Sequence, residues 1–342
     1  MPVTLKDVAA AAGYSVTTTS RALGGYDDVN EQTRERIITV ARELGYQPNM
    51  LARQLQAQRA ETIGLVIPQA AHQPDDDFFS LLMKGISYVA SQHQFDLLIS
   101  SQLTPQDELR AYQRIAGGRR VDGVIVARTM HDDPRIAYLQ RNNYPFVVSG
   151  RSAPDEPDDF PFVDADSESG IRQVVAHFID YGHEHIGFIS SPPELAYTPY
   201  RLAGYQHALA DADLPYREDY VAHGDMQQES GQKAAADLLA RHPQMTAIVA
   251  SNDAMAIGAM AAVQAAGKQV GVDMALGGFD DIPLARHITP DLTTVRQPIY
   301  RIGELVAEML IQIINGEPPE QTGILLEPKL IIRASSGQPL AI

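Results

Sequence analysis

From residue 62 onward, short apolar runs rich in β-branched residues alternate with stretches of helical periodicity. The strand-forming runs are TIGLVIP (62–68), FDLLIS (95–100), VDGVIVA (121–127) and PFVVSG (145–150). A second set follows: HIGFIS (185–190), DYVAHGD (219–225), TAIVAS (246–251) and MALGGFDD (274–281). Helical stretches such as Phe79–His93 and Gly170–Tyr181 lie between them. Alternation of this kind buries strands between helices and predicts parallel, doubly wound α/β sheets. Two sets predict two lobes, with TTVRQP (293–298) and the helix after it returning the chain to the first. Ligands of such folds bind at the carboxyl ends of strands, so the cleft between lobes is the expected site.

The first sixty residues obey a different pattern. Thr4 followed by Asp7 reads as a capping box, and a short helix runs to Ala12. Gly13 turns the chain, Ser15 caps a second helix ending near Leu23, and Asn30 caps a third that Gly45 ends. Leu5, Val8, Ala9, Leu23, Ile37, Val40 and Leu44 supply a small core. Helix, tight glycine turn, helix is the outline of a helix-turn-helix. The second helix, VTTTSRAL, is rich in β-branched residues and intrinsically weak. Such a segment is explained by what its outer face touches. Val16 and Thr17 stand at its N-terminal end, where a docked helix meets base edges, and Thr18, Ser20 and Arg21 suit phosphates or bases. A capped surface helix is the plain alternative. In YQPNMLARQL (46–55), Pro48 and Asn49 open barely two helical turns, and Leu51 and Leu55 have no nearby core to join.

The segment VTLKDVAAAAGYSVTTTSRAL…VNEQTRERIITVARELGYQPNMLARQL resembles the DNA-binding domain and hinge of the LacI/GalR transcription regulators. That resemblance implies paired hinge helices that order on operator DNA, with Leu55 wedged into the minor groove. It implies a DNA-facing set of Thr4, Ser15, Val16, Thr17, Thr18, Ser20, Arg21, Asn30, Asn49, Ala52 and Leu55. Thr19 departs from the family's usual inward valine. The likeness continues through DDFFSLLMKGI, VVSGR, YRLAGY, ASNDAMAIGAM, GGFDD, TTVRQP and LIIRASS. The expected architecture is a helix-turn-helix domain (1–47), a hinge helix and linker (48–60), and a two-lobed core like periplasmic binding proteins (61–342). Lobe 1 is expected at about 61–161 and 294–322, lobe 2 at about 162–293 and 323–342.

The effector contacts implied are Phe78, Phe79, Arg201, Asn252, Asp280 and Gln297, with Ser149, Arg151, Tyr197 and Met226 as further cleft residues. Carboxylate and amide groups suit vicinal hydroxyls, and arginine donates in a fork. The plain alternatives are helix-face packing for Phe78 and Phe79, and helix capping for Asn252 and Asp280. Met226 stands where many sugar-responsive members place a stacking tryptophan, and the chain has no tryptophan. Tyr197, Tyr200 and Phe160 are candidate replacements. Leu195 stands near an arginine of purine-responsive relatives and cannot replace it. A sugar effector is therefore expected over a purine.

The net charge of −16 argues against nucleic-acid binding only if read globally. Residues 1–60 are about neutral to slightly basic, and the acidity lies beyond them. No cysteine is present, which excludes disulfide and thiolate chemistry. No membrane-length apolar run and no secretory leader are read, so a cytoplasmic protein is expected. His183 to His185 reads as a turn and Asp75 to Asp77 as a solvated loop. No metal, phosphate-loop or nucleophile-elbow motif appears, so neither an enzyme nor a cofactor is expected. The expected partners are double-stranded operator DNA, a small sugar-like effector and a second copy of the chain. A homodimer is expected because no leucine heptads follow LIIRASS. The expected function is a repressor of sugar uptake or catabolism genes, released from its operator by effector. A co-repressor mode and a solute-binding protein are the alternatives.

Overall fold

The structure is a computed structural model that describes residues 3–46, 59–68, 77–102, 104–317 and 319–338. It divides into two units, Met1–Ala60 and Glu61–Ile342.

In the first unit, α1 (Leu5–Ala12), α2 (Val16–Leu23) and α3 (Glu31–Glu43) follow the caps expected of them. The Thr4 backbone N–H donates to Asp7 Oδ2 at 2.8 Å, and the Thr4 hydroxyl accepts from Asp7 N at 3.4 Å. Ser15 Oγ accepts from Thr18 N at 3.0 Å, and Asn30 Oδ1 from Gln32 N at 2.9 Å. Val8, Ala9, Ala12, Ala22, Val29, Ile37 and Ala41 form the buried core. Leu44 does not join it and is 40% exposed. It is the C-cap of α3, past the last turn that holds the apolar face inward. Thr19 is fully buried, and its hydroxyl donates to the Ser15 carbonyl at 2.9 Å, so the departure from valine leaves no unsatisfied group. The expected hinge helix, with Asn49, Ala52 and Leu55, lies outside the described residues.

The second unit holds a six-stranded sheet in the order β11-β5-β4-β3-β1-β2 and a four-stranded sheet in the order β7-β6-β8-β9. In the first sheet the strands are β1 (Thr62–Pro68), β2 (Asp96–Gln102), β3 (Gly123–Ala127), β4 (Phe146–Ser149), β5 (Phe162–Ala165) and β11 (Gly323–Leu326). In the second they are β6 (Ile186–Ser190), β7 (Val221–His223), β8 (Ala247–Ala250) and β9 (Ala275–Gly277). Every pair within these sheets is parallel. The expected lobe limits need correction. β5 and β11 pair with each other and extend the first sheet, so Phe162–Ala165 and Gly323–Leu326 belong to lobe 1. The crossing strand β10 (Thr294–Arg296) pairs antiparallel with β12 (Lys329–Ile331) and packs with lobe 2. The chain thus crosses three times, near Asp166, at Gln297–Pro298 and at Glu327–Pro328. In lobe 1, helix Ile299–Asn315 lies against helix Asp77–Gln92 at Gly85 and Gly303. A Cβ on Gly85 would stand 2.2 Å from the Tyr300 carbonyl oxygen. That approach draws the start of each helix, bearing Phe78 and Ile299, to one edge of the cleft.

Candidate DNA-reading helix and effector cleft

On α2, Val16 and Thr17 are exposed at the N-terminal end. Ser15 is occupied by its cap and by the Thr18 hydroxyl at 2.8 Å. Thr4 and Asn30 are exposed caps of their own helices. Ser20 is half-buried. Arg21 pairs with Asp28, donating from Nε at 3.1 Å, and its guanidinium carbon lies 5.2 Å from the Tyr26 ring centre. Val16, Thr17 and Arg21 therefore form an outward-facing edge on a helix whose backbone is locally capped.

In the second unit, a cavity of about 1020 Å³ lies between the lobes. Phe78, Ser149, Arg151, Tyr197, Arg201, Met226, Asn252, Asp280 and Gln297 all line it. Phe79 does not: it is 3% exposed and packs with Leu82 and Ile86 in the lobe 1 core. Adjacent residues of a helix point about 100° apart, so only one of the pair faces the cleft. Phe160 is likewise core, beside Phe146. Tyr200 stacks under Arg151, 3.5 Å from its guanidinium carbon, and its hydroxyl donates to the Ser152 carbonyl at 3.0 Å.

Arg201 is 4% exposed, on helix Thr198–Asp211. It is sandwiched between the rings of Tyr197 at 4.3 Å and Phe279 at 4.0 Å. Its Nη1 donates to the Ser251 carbonyl, and Nη2 lies 3.9 Å from Asp280 Oδ1. Its buried Nε has no hydrogen-bond partner among the described residues. Asp280 stands in the loop after β9 with φ 116°, a backbone region few residues other than glycine adopt. Gln297 Nε2 donates to Asp280 Oδ1 at 2.7 Å, tying a crossing segment to that loop. Asn252 caps helix Asp253–Ala265 and also donates to the Met226 carbonyl at 3.0 Å, so it is both a cap and a cleft residue.

The loop's geometry is held from beneath. Asp253 is fully buried and accepts from Thr294 Oγ1 at 2.5 Å and from Ile282 N at 2.9 Å. Burial, reinforced by the nearby Asp280 charge, pushes its carboxyl well above the usual range. Burial would also raise Asp281, but hydrogen bonds from Arg333 and Arg296 outweigh it and hold that carboxyl below its ordinary value.

Several cleft groups were not singled out from the sequence. Asp164, on β5, lines the cleft with Arg151 Nε 3.5 Å from its Oδ2. Burial pushes its carboxyl up to about 7, against the pull of Arg151. A carboxylate inside the apolar run PFVDA was the available signal. Arg135 is 2% exposed and donates to Asp133, Glu108 and the carbonyls of Ala127 and Arg128. Arg128 lies over Phe78 and Phe79, 5.8 and 5.2 Å from their centres. At the rim, the segment after β3 meets the segment after β6 through main-chain bonds. His131 N donates to the Glu194 carbonyl at 3.0 Å, and Ala196 N to the Thr129 carbonyl at 3.1 Å. Among the described residues, His131, Asp155 and Glu156 bring donor atoms within 4.8 Å of one another, with His131 and Glu156 already paired at 3.2 Å. His183 bonds to Thr246 and His185 to Tyr220, both structural contacts.

A DNA-reading helical unit joined to a two-lobed α/β unit with a polar interlobe cleft defines a ligand-sensing regulator. Residues 4–49 match the model of the bacterial regulatory proteins of the lacI family, and residues 175–336 match that of the periplasmic binding protein-like domain. The regulator AglR of Rhizobium meliloti is 37% identical over 98% of this chain and 95% of its own length. The regulator CelR of Thermobifida fusca is 33% identical over 97% and 98%. A solved CelR–cellobiose complex superposes with a TM-score of 0.77, at 32% identity over 97% of this chain and 99% of that one. The lac repressor dimer bound to operator and the anti-inducer ONPF gives a TM-score of 0.85, at 27% identity over 98% and 100%. The chain belongs to the LacI family, and it is a DNA-binding transcriptional regulator with an effector-binding core.

Proposed function

We propose that this protein is a cytoplasmic, homodimeric repressor that leaves a pseudo-palindromic operator when a sugar occupies the interlobe cleft. The observation that carries the sugar reading is the convergence of Arg201, Asn252, Asp280 and Gln297 on one cavity with Phe78 at its edge. Such a mixture of donors, acceptors and apolar surface suits a ring bearing hydroxyls on its edges and C–H groups on its faces. The CelR–cellobiose complex is a similar chain with a sugar ligand, and the lac repressor is a similar chain bound as a dimer to operator. Val16, Thr17 and Arg21 read each half-site, and Leu55 of each copy wedges the centre. The cleft serves as a sensor and performs no chemistry on its ligand. Among the described residues, no helix is long and apolar enough to cross a membrane.

Ligand closing the cleft acts by differential affinity for two lobe arrangements, and only that difference can change operator affinity. The test is operator binding by fluorescence anisotropy, using duplexes selected from a randomised pool, with and without carbohydrates. The expected result is a palindromic site whose complex is weakened at least about tenfold by one sugar, a coupling of about 1.4 kcal/mol. Selection of no palindrome would remove the operator reading. A palindrome whose binding no carbohydrate alters would remove the sugar reading.

A further inference from the structure

The cleft carries a charge arrangement that narrows the effector further than its sugar-like character. Among the described residues, its lining includes seven carboxylates against five guanidinium groups, with no lysine or histidine. Four of those arginines lie near carboxylates, although Asp281 is shared with Arg296 and Arg333. Arg135 is held by Asp133 and Glu108, Arg151 lies 3.5 Å from Asp164, Arg201 lies 3.9 Å from Asp280, and Arg286 reaches Asp281 at 3.2 Å. The fifth, Arg128, lies over the Phe78 and Phe79 rings.

We infer that the effector is an uncharged carbohydrate of two or more rings, and that the cleft excludes sugar phosphates, uronic acids and nucleotides. This rests on the sugar-responsive reading of the same cleft. A phosphate or carboxylate entering here meets more carboxyl groups than guanidinium groups among the described lining residues. To pair with it, Arg135 would have to give up Asp133 or Glu108, and Arg151 would have to give up Asp164, leaving a desolvated carboxylate uncompensated, which is costly. A neutral hydroxyl meets no such conflict. Carboxylates that already accept from arginine keep lone pairs for an O–H donor, and the Asn252 and Gln297 amides offer both donors and acceptors.

Size points the same way. At about 1020 Å³ the cavity stands at the upper end of ordinary ligand sites. One hexose ring would leave much of it to water. Polar groups also occur on both walls, with Ser149, Arg151 and Asp164 from lobe 1 and Arg201, Asn252 and Asp280 from lobe 2. A ligand that holds both walls together spans more than one ring's edge. The raised carboxyl of Asp164 adds to this, since it keeps part of its proton near neutrality and can donate to a hydroxyl oxygen.

The experiment is isothermal titration of the full chain, paired with release of the selected operator. The probes are cellobiose, maltose, trehalose, cellotriose, glucose, glucose 6-phosphate, trehalose 6-phosphate, glucuronate and cytidine. The expected result is binding and operator release by a neutral di- or trisaccharide. Glucose and every anionic probe should bind at least about 100-fold more weakly, close to 2.7 kcal/mol. The neutral ligand's affinity should also change less than about twofold between low and high salt, because no net ion pair forms on binding. Release by glucose 6-phosphate, trehalose 6-phosphate or glucuronate overturns the inference while leaving the sugar-responsive reading intact. Release by glucose as strong as by any oligosaccharide overturns the size half. Release by cytidine alone, or by no carbohydrate, overturns both the inference and the sugar reading.

Discussion

The helical unit and the cleft both present recognition groups, but they hold them in opposite ways. Around α2, the fixed polar groups are held by neighbours a few residues away: Ser15 by Thr18, Thr19 by Ser15, Arg21 by Asp28. In the cleft several ties are long. Arg201 reaches a carbonyl 50 residues on, and Asp281 is held by Arg333, 52 residues away. Local ties leave the outer face of a helix free to be read as a surface. Long ties make the site a product of the whole fold, so a change there should spread, whereas a change in the helical unit should stay local.

The largest effect is expected from Arg201→Ala. It removes a nearly buried guanidinium from between two rings and leaves Asp280 without that partner. Effector affinity should fall at least about 100-fold, on the scale of 2–5 kcal/mol for truncating one member of a buried charged pair. Operator affinity without effector should be unchanged. Normal release by the sugar in anisotropy would show that the cleft is not organised around this residue.

A smaller effect separates the charge of Asp164 from its packing. Its folded-state carboxyl titrates near 7, and an unfolded carboxyl near 3.9. Between those values the unfolded chain has lost the proton that the folded chain keeps. This group therefore favours the folded state fully at low pH. That contribution falls as pH rises from about 4 to about 7 and is flat above. Asp164→Asn removes the slope. Denaturant unfolding of both chains at pH 5 and pH 8 should show the wild type losing a few kcal/mol relative to the variant. Parallel pH profiles would mean that Asp164 is ionised across the range.

The smallest effect tests the local side. Thr19→Val replaces a bonded hydroxyl by a methyl group, and the Ser15 carbonyl keeps its bond from the residue 19 amide. The helical unit should change by less than about 1 kcal/mol, in the stabilising direction. Amide hydrogen exchange should register it in α1 to α3 and nowhere in residues 61–342. Altered protection in the core would contradict the local character of this unit.

The same contrast governs what the sequence made legible. Caps, turns and short helices depend on neighbours, so Thr4, Ser15 and Asn30 announced the helical unit. The parallel core strands announced themselves as apolar runs. β5 and β11 did not: both are only four residues long, and β11 owes its place to a partner about 160 residues away. Phe78 and Phe79 look alike in sequence, and only the packing of helix Asp77–Gln92 on helix Ile299–Asn315 decides which one faces the cleft. Asp164 was missed with its strand. Leu44 carried the right periodicity yet stands one position beyond the helix that would have turned it inward.

The rim where His131 and Ala196 exchange main-chain bonds with Glu194 and Thr129 has a consequence in time. These bonds join the two lobes directly, so any parting of the lobes at this rim must break them. Each is individually weak, on the order of 1 kcal/mol net in water, and such segments open on microsecond to millisecond timescales. A parting of the lobes at this rim is therefore fast and costs little free energy, and a ligand that bridges both walls works against it.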